Sequence, residues 1–242
     1  ALATSFPSKA QGFYTLLADD TVSGYTSSDN WQPSLYDYQL QGSNILWFTF
    51  INPMTMQVPP AFSNLAKCRG QTGCPTNSQI ILFSFGGQSY SNQVWPWLQS
   101  QSAAASMAQT VSQWPAMYGC DGIDIDIEGT AGNDPTSAEN IVYFVQQLRL
   151  ANPNIIITVP VYGFPQVAAE NNLVNAGWQQ NGDSTNLIDS IGIMVYSDSE
   201  SLQYVGDYAN ATSEWYGFPI TVDVPSENIF VGLQDTASSS VI

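Results

Sequence analysis

The sequence predicts an α/β fold made of parallel β/α units in a single domain over residues 1–242. Three observations predict it. Short runs rich in β-branched and aromatic residues recur near residues 13, 47, 82, 124, 158, 193 and 231. Helical patterns or long polar loops separate them, and such alternation favours parallel strands joined by crossovers. Several runs are apolar throughout, as in strands covered on both faces. No linker, low-complexity segment or internal repeat divides the chain.

Taken in order, residues 10–17 read as the first strand, followed by a polar loop from Asp19 to Pro33 that carries Trp31. Ile45 to Ile51 is a continuous apolar run and the second strand. A proline-rich loop, Asn52 to Pro60, leads to Cys68-Arg-Gly-Gln-Thr-Gly-Cys74. Its two glycines permit a tight turn and a local disulfide; two free thiols are the alternative. Ile80 to Phe85 is the third strand and ends in Ser84-Phe85-Gly86-Gly87, where glycines allow a ligand or backbone to approach. Ser102 to Tyr118 reads as a helix, with Ala103, Met107, Val111 and Trp114 near one face. Thr136 and Glu139 have capping-box spacing ahead of Ile141, Phe144, Val145 and Leu148, and Pro153 marks that helix's end. Ile155 to Val161, the interior of Leu187 to Tyr196, and Asn228 to Leu233 give the fifth, sixth and seventh strands.

The fourth strand carries the chemistry. Asp121-Gly-Ile-Asp124-Ile-Asp126-Ile-Glu128 alternates acids with isoleucines. On a strand, Asp124, Asp126 and Glu128 share one face, and Ile123, Ile125 and Ile127 the other. Turned inward, three crowded carboxyls cannot all ionise comfortably, and at least one becomes a proton donor near neutral pH. A solvated edge strand does not need the isoleucines, and a calcium loop needs flexible backbone rather than a β-branched run. Asp121 lies off the acid face and reads as structural.

Composition narrows the function. The chain has 242 residues, 44% of them hydrophobic, enough for one large core. Charged residues are only 10%, and net charge is −16 with four basic residues, Lys9, Lys67, Arg69 and Arg149. That balance disfavours nucleic acid and anionic membrane as partners. The absence of histidine removes Ser-His-Asp, Cys-His and histidine-metal chemistry; no metal or cofactor is called for. No run is long and apolar enough to span a membrane. No signal peptide is visible at Ala1, so the chain is cytosolic or already processed; the paired cysteines favour a processed, secreted protein. Cys120 reads as a buried thiol or one whose partner lies outside the chain. Asn210-Ala211-Thr212 is an N-glycosylation sequon.

Asp-x-x-Asp-x-Asp-x-Glu, complete from Asp121 to Glu128, resembles the signature of glycoside hydrolase family 18, the chitinase family. Ser84-x-Gly86-Gly87 one strand earlier and Met194-Val195-Tyr196 on the sixth strand resemble two further family motifs, in the family's order. The resemblance runs from about residue 10 to 235. It implies a (β/α)8 TIM barrel, a fold of about this length. With seven strands read, the eighth is missing from this chain, and a longer native chain or a partner would complete the barrel. Gln88 stands where many relatives carry an aromatic residue.

The resemblance also implies roles. Glu128 is the general acid. In chitin the substrate's 2-acetamido oxygen attacks the anomeric carbon, so the enzyme needs no nucleophile and the product retains its configuration. Asp126 orients and stabilises the resulting ion, and Asp124 shares a proton with Asp126. Tyr196 hydrogen-bonds the acetamido oxygen, and Met194 packs beneath the sugar. Ser197 replaces the Asp or Asn that often follows this tyrosine. Tyr14 and Phe50 match pocket-shaping aromatic positions. Trp31, Trp95, Trp97 and Trp215 either line a glycan groove or are packed. The expected function is a secreted, endo-acting chitinase. The alternatives are an endo-β-N-acetylglucosaminidase acting on N-glycans and a non-catalytic lectin or structural barrel; the presence of Glu128 argues against the last.

Overall fold

The computed structural model describes residues 12–16, 43–72, 74–163, 165–178, 186–195, 201–212 and 217–232, with 12–16 and 201–202 as backbone. All seven predicted strands are present: β1 (Gly12–Leu16), β2 (Ile45–Ile51), β3 (Ile80–Gly86), β4 (Gly122–Asp126), β5 (Ile156–Tyr162), β6 (Ser190–Met194) and β7 (Ile229–Gly232). They pair in parallel in strict sequence order, so β1 and β7 are the edges of the described sheet. This is a curled barrel sheet with seven of the eight expected strands among the described residues.

The curl is visible in contacts across the interior. The rings of Trp47 on β2 and Phe230 on β7 lie 5.1 Å apart. The Trp47 indole N–H donates to Thr158 Oγ1 on β5 at 3.2 Å. Gly192 makes room for this closure, since a Cβ there would stand 2.3 Å from the Phe230 ring. Alternation along the strands separates two apolar groups. Ile45, Trp47, Ile80, Leu82 and Ile156 fill the barrel's lower interior with Phe230. Residues of opposite parity, among them Ile123, Ile125, Ile157, Val159 and Ile193, pack outward under the helices. Each isoleucine buried there contributes about 2 kcal/mol.

The helices among the described residues are α1 (Pro60–Lys67), α2 (Gln101–Ser112), α3 (Trp114–Tyr118), α4 (Gly129–Asn133), α5 (Pro135–Ala151), α6 (Ala168–Gly177) and α7 (Ser201–Ala209). Three expectations need correction. The predicted helix from Ser102 to Tyr118 is two helices, broken at Gln113, because Pro115 in the first turn of α3 has no N–H to continue the ladder. Its buried stripe is Ala104, Ala108, Val111 and Trp114, so Ala103 lies off the face. Asp134, not Thr136, caps α5: its carboxylate accepts from Ser137 N at 2.8 Å, and Pro135 follows it. α1 begins inside the segment read as a proline-rich loop.

Cys68 and Cys74 form the expected disulfide, with Cα atoms 5.8 Å apart. Cys120 is a buried free thiol whose pKa is pushed up by burial. No helix among the described residues is long and apolar enough to cross a membrane.

Candidate active site

The acids of β4 lie where alternation predicts, at the carboxyl half of the strand and inside the sheet. Asp124 is fully buried; Asp126 and Glu128 are 5% and 9% exposed. Glu128 stands just past β4 as the residue preceding α4, still in extended conformation, so the alternation carries through it.

Neighbouring strands supply partners through register. Ser84 pairs with Asp124, and Asp124 with Thr158. Ser84 Oγ donates to Asp124 Oδ2 at 2.7 Å, and Thr158 Oγ1 donates to Oδ1 at 2.5 Å. Trp47 stands behind Thr158. Each oxygen of this buried carboxylate thus accepts a hydroxyl.

Asp126 is different. Burial, then the charges of Glu128 and Asp124, hold its pKa well above the usual carboxylate range. It shares a hydrogen bond with Glu128. Among the described residues, no group partners its buried Oδ1. Burial raises the pKa of Glu128 too, against the opposing effect of hydrogen bonds from Tyr162 and Asp126. Both carboxyls are thus shifted toward their protonated forms, and the titration belongs to the pair.

Gly86 and Gly87 bring the β3 end onto this cluster. Gly86 has φ +103°, and a Cβ there would stand 2.0 Å from the Asp126 carbonyl oxygen. Gly87 N–H donates to that same oxygen at 2.8 Å. Phe50, half-buried at the end of β2, lies over Gly87. Met194 ends β6, in register with Tyr162. Asp121 sits at the opposite, amino end of β4, bonded to Arg69 at 2.6 Å and to Ile81 N at 2.8 Å. Tyr196, Trp31 and Trp215 lie outside the described residues, and Tyr14 is described only as backbone, in register with Trp47. Trp95 and Trp97 are packed in the core, 1% and 6% exposed, with Trp97 bonded to the Pro53 carbonyl, and do not line a groove.

Besides Thr158 and Trp47, two further residues of the cluster were not anticipated. The Tyr162 hydroxyl, at the end of β5, donates to Glu128 Oε2. Glu170 on α6 is 2% exposed, and burial pushes its pKa up to about 8. The available signal was a tyrosine ending the strand next to the acid strand.

A curled parallel sheet with buried carboxyls at the carboxyl ends of its strands defines a β/α-barrel with its site where such barrels carry their chemistry. The chain belongs to the glycosyl hydrolases family 18, whose family model matches residues 21–237. No curated protein matches its sequence significantly. Among solved structures it resembles a family GH18 chitinase from Cycas revoluta in complex with allosamidin, with 21% identity and TM-score 0.50 over 68% of this chain and 50% of that one. It also resembles the chitinase domain of the spore coat protein CotE from Clostridium difficile, with 15% identity and TM-score 0.54 over 93% and 65%. A third is a mutant plant class V chitinase from Cycas revoluta in complex with (GlcNAc)3, with 19% identity and TM-score 0.54 over 78% and 56%. The chain spans less than two thirds of the length of each. At these identities the likeness establishes the barrel fold.

Proposed function

We propose that residues 1–242 form one catalytic unit of a secreted chitinase that cleaves β-1,4-linked N-acetylglucosamine by substrate-assisted, retaining hydrolysis. The observation that carries this reading is the Asp126–Glu128 pair, two buried, hydrogen-bonded carboxyls whose pKa values burial raises, with Asp126 Oδ1 buried without a partner among the described residues. Family membership and the (GlcNAc)3 bound to the Cycas revoluta relative support the substrate class. The Cys68–Cys74 disulfide supports an oxidising compartment.

In this mechanism Glu128 gives its proton to the glycosidic oxygen. The bond from that oxygen to the anomeric carbon breaks, and its electron pair stays on the oxygen. The 2-acetamido carbonyl oxygen bonds to the anomeric carbon, forming a cyclic oxazolinium ion. Asp126 Oδ1 receives the N–H of that ion, and Asp124 beneath it steadies the positive charge. Water then attacks the anomeric carbon from the face the leaving group left, giving a proton to Glu128 as the acetamido bond opens. Two inversions at one carbon leave its configuration retained. Tyr196 supports the acetamido oxygen, while Met194, Tyr14, Phe50, Gly86 and Gly87 bound the sugar site.

Release of a fluorogenic group from chitobiose and chitotriose conjugates tests this. Glu128→Gln keeps the shape without the transferable proton, and kcat should fall at least ~100-fold. Folded wild type that binds chitin oligomers without cleaving them would overturn the enzyme reading in favour of a lectin. Turnover of N-glycans but not chitin oligomers would move the substrate to the endo-β-N-acetylglucosaminidase class.

A further inference from the structure

Tyr162 is gripped from both sides of its own backbone. Its N–H donates to Glu170 Oε1, and its carbonyl accepts from the Tyr208 hydroxyl at 2.9 Å. Glu170 takes Gln166 N–H on its other oxygen at 3.0 Å, which closes the turn between β5 and α6 on one carboxyl group. Tyr208, on α7, is fully buried. Side chains from two successive outer helices thus meet on one strand residue, and the phenol of that residue reaches inward to Glu128 Oε2. Closing a turn does not require a buried acid. An ionisable side chain taken out of water costs several kcal/mol unless well bonded, and such groups gather where a site needs them.

We infer that Tyr162 is the positioning residue of Glu128, held in place by Glu170 and Tyr208. The inference rests on the reading of Glu128 as the general acid. A hydroxyl on Oε2 fixes the rotamer of the Glu128 carboxyl, the group that must face the scissile oxygen. As the proton leaves, charge develops on the carboxylate, and the Tyr162 hydrogen bond strengthens with it. The phenol itself stays protonated, because burial and its bond to Glu128 push its pKa up. Glu170 faces Glu128, Asp126, Tyr162 and Tyr208 from α6, so the group that sets the backbone of Tyr162 also lies within the field of the acids.

The test is the titration of the Glu128 side-chain carboxyl carbon by 13C NMR, assigned by comparison with Glu128→Gln, together with kcat and KM on the chitotriose conjugate. Tyr162→Phe removes only the hydroxyl. It should raise the midpoint to which Glu128 contributes, shift the pH profile of kcat the same way, and lower kcat about tenfold with KM changed less than twofold, the worth of one lost hydrogen bond to a charged group. Tyr208→Phe should move the midpoint in the same direction by less, since it loosens Tyr162 without removing its hydroxyl; Glu170→Gln also takes away a charge that raises Asp126, so its readout is a lowered kcat. A folded Tyr162→Phe with unchanged midpoint and kcat overturns the inference even if wild type is an active chitinase. A midpoint moved by Tyr162→Phe but not by Tyr208→Phe, with kcat unchanged in Glu170→Gln, overturns the holding role. The NMR arm needs no turnover, so a shifted midpoint in a protein without chitinase activity supports the hydrogen-bonded coupling while the proposed function fails.

Discussion

Glu170 gives the fold a definite pH dependence. Its pKa is about 8 in the folded protein against 4.5 for an ordinary glutamate, mainly because it is buried. Between those values the folded protein holds a proton that the unfolded chain has released. The stability linked to this group is therefore complete below about pH 4.5 and declines as pH rises to about 8. Asp126 and Glu128 are shifted in the same direction and contribute with the same sign. Urea midpoints should fall from pH 5 to pH 8. Glu170→Gln should start about 1–3 kcal/mol lower, because an amide cannot accept both backbone N–H groups, yet show a flatter slope; an unchanged slope would remove Glu170 as its cause. Gly86 makes a second prediction. With φ +103° and 2.0 Å between a would-be Cβ and the Asp126 carbonyl, Gly86→Ala should give no folded, active protein. Gly217→Ala, at φ +77° with open space around it, should cost about 1 kcal/mol in the same urea titrations. What the sequence shows of this site follows from covalent adjacency. Asp124, Asp126 and Glu128 are legible because a strand's period is two, and Ser84 because its motif precedes theirs by one strand. Tyr162 lies 34 residues from Glu128 and meets it through the neighbouring strand, so the acid motif itself does not announce it. Trp95 and Trp97 mislead for the opposite reason: their position after β3 suggests the mouth, but the turn at Pro96 folds both rings back into the core.

At the scale of elements, two arginine–aspartate clamps repeat at the amino ends of the strands. Asp121, just before β4, accepts Ile81 N at 2.8 Å and Arg69 at 2.6 Å, and Arg69 also donates to the carbonyls of Gln79 and Gly119. Asp189, just before β6, accepts Ile157 N at 2.8 Å and Arg149 at 2.9 Å, and Arg149 also donates to the carbonyls of Ile155 and Leu187. Each clamp fixes the register of an adjacent strand pair. The first acid of the motif thus lies seven residue steps of extended chain from Glu128, roughly 23 Å. Asp121→Ala should lower stability by about 2 kcal/mol, as expected for a half-buried pair losing one partner, and leave kcat of the folded protein within about twofold. A large fall in kcat at full folding would place Asp121 in the chemistry. Strands were legible because their apolar runs are too short for helices and are bounded by glycine, proline and polar residues. Helix limits were less so. Pro60 and Pro135 begin helices rather than ending them, since the first turn needs no N–H from proline. The sequence does not pair the clamp residues because Arg69 and Asp121 are 52 residues apart, although Asp121 alone reads as structural.

For the whole molecule, compaction works against charge. The curled sheet brings β2 and β7 within ring contact around an apolar lower interior, yet the chain carries net charge −16 with only four basic residues. Arg69 and Arg149 are already engaged at the strand ends. The remaining acids repel one another more in the folded than in the extended chain, which favours solubility and opposes folding. This gives the pH slope a second source, since surface carboxylates ionise over the lower part of the same range. Salt separates the two. Ions screen exposed charges beyond about 10 Å at 0.1 M but barely reach a buried carboxyl. Adding about 0.3 M sodium chloride should therefore raise the melting temperature by a few degrees at pH 8 and by less at pH 5. The pH slope left in high salt should be that of the buried acids, and Glu170→Gln should remove much of it. If salt alone abolishes the wild-type slope, surface repulsion is its cause and the buried acid contributes little. Cleavage of an uncharged glycan should show no comparable salt dependence, because the charges that salt screens lie on the protein and have no counterpart on the substrate.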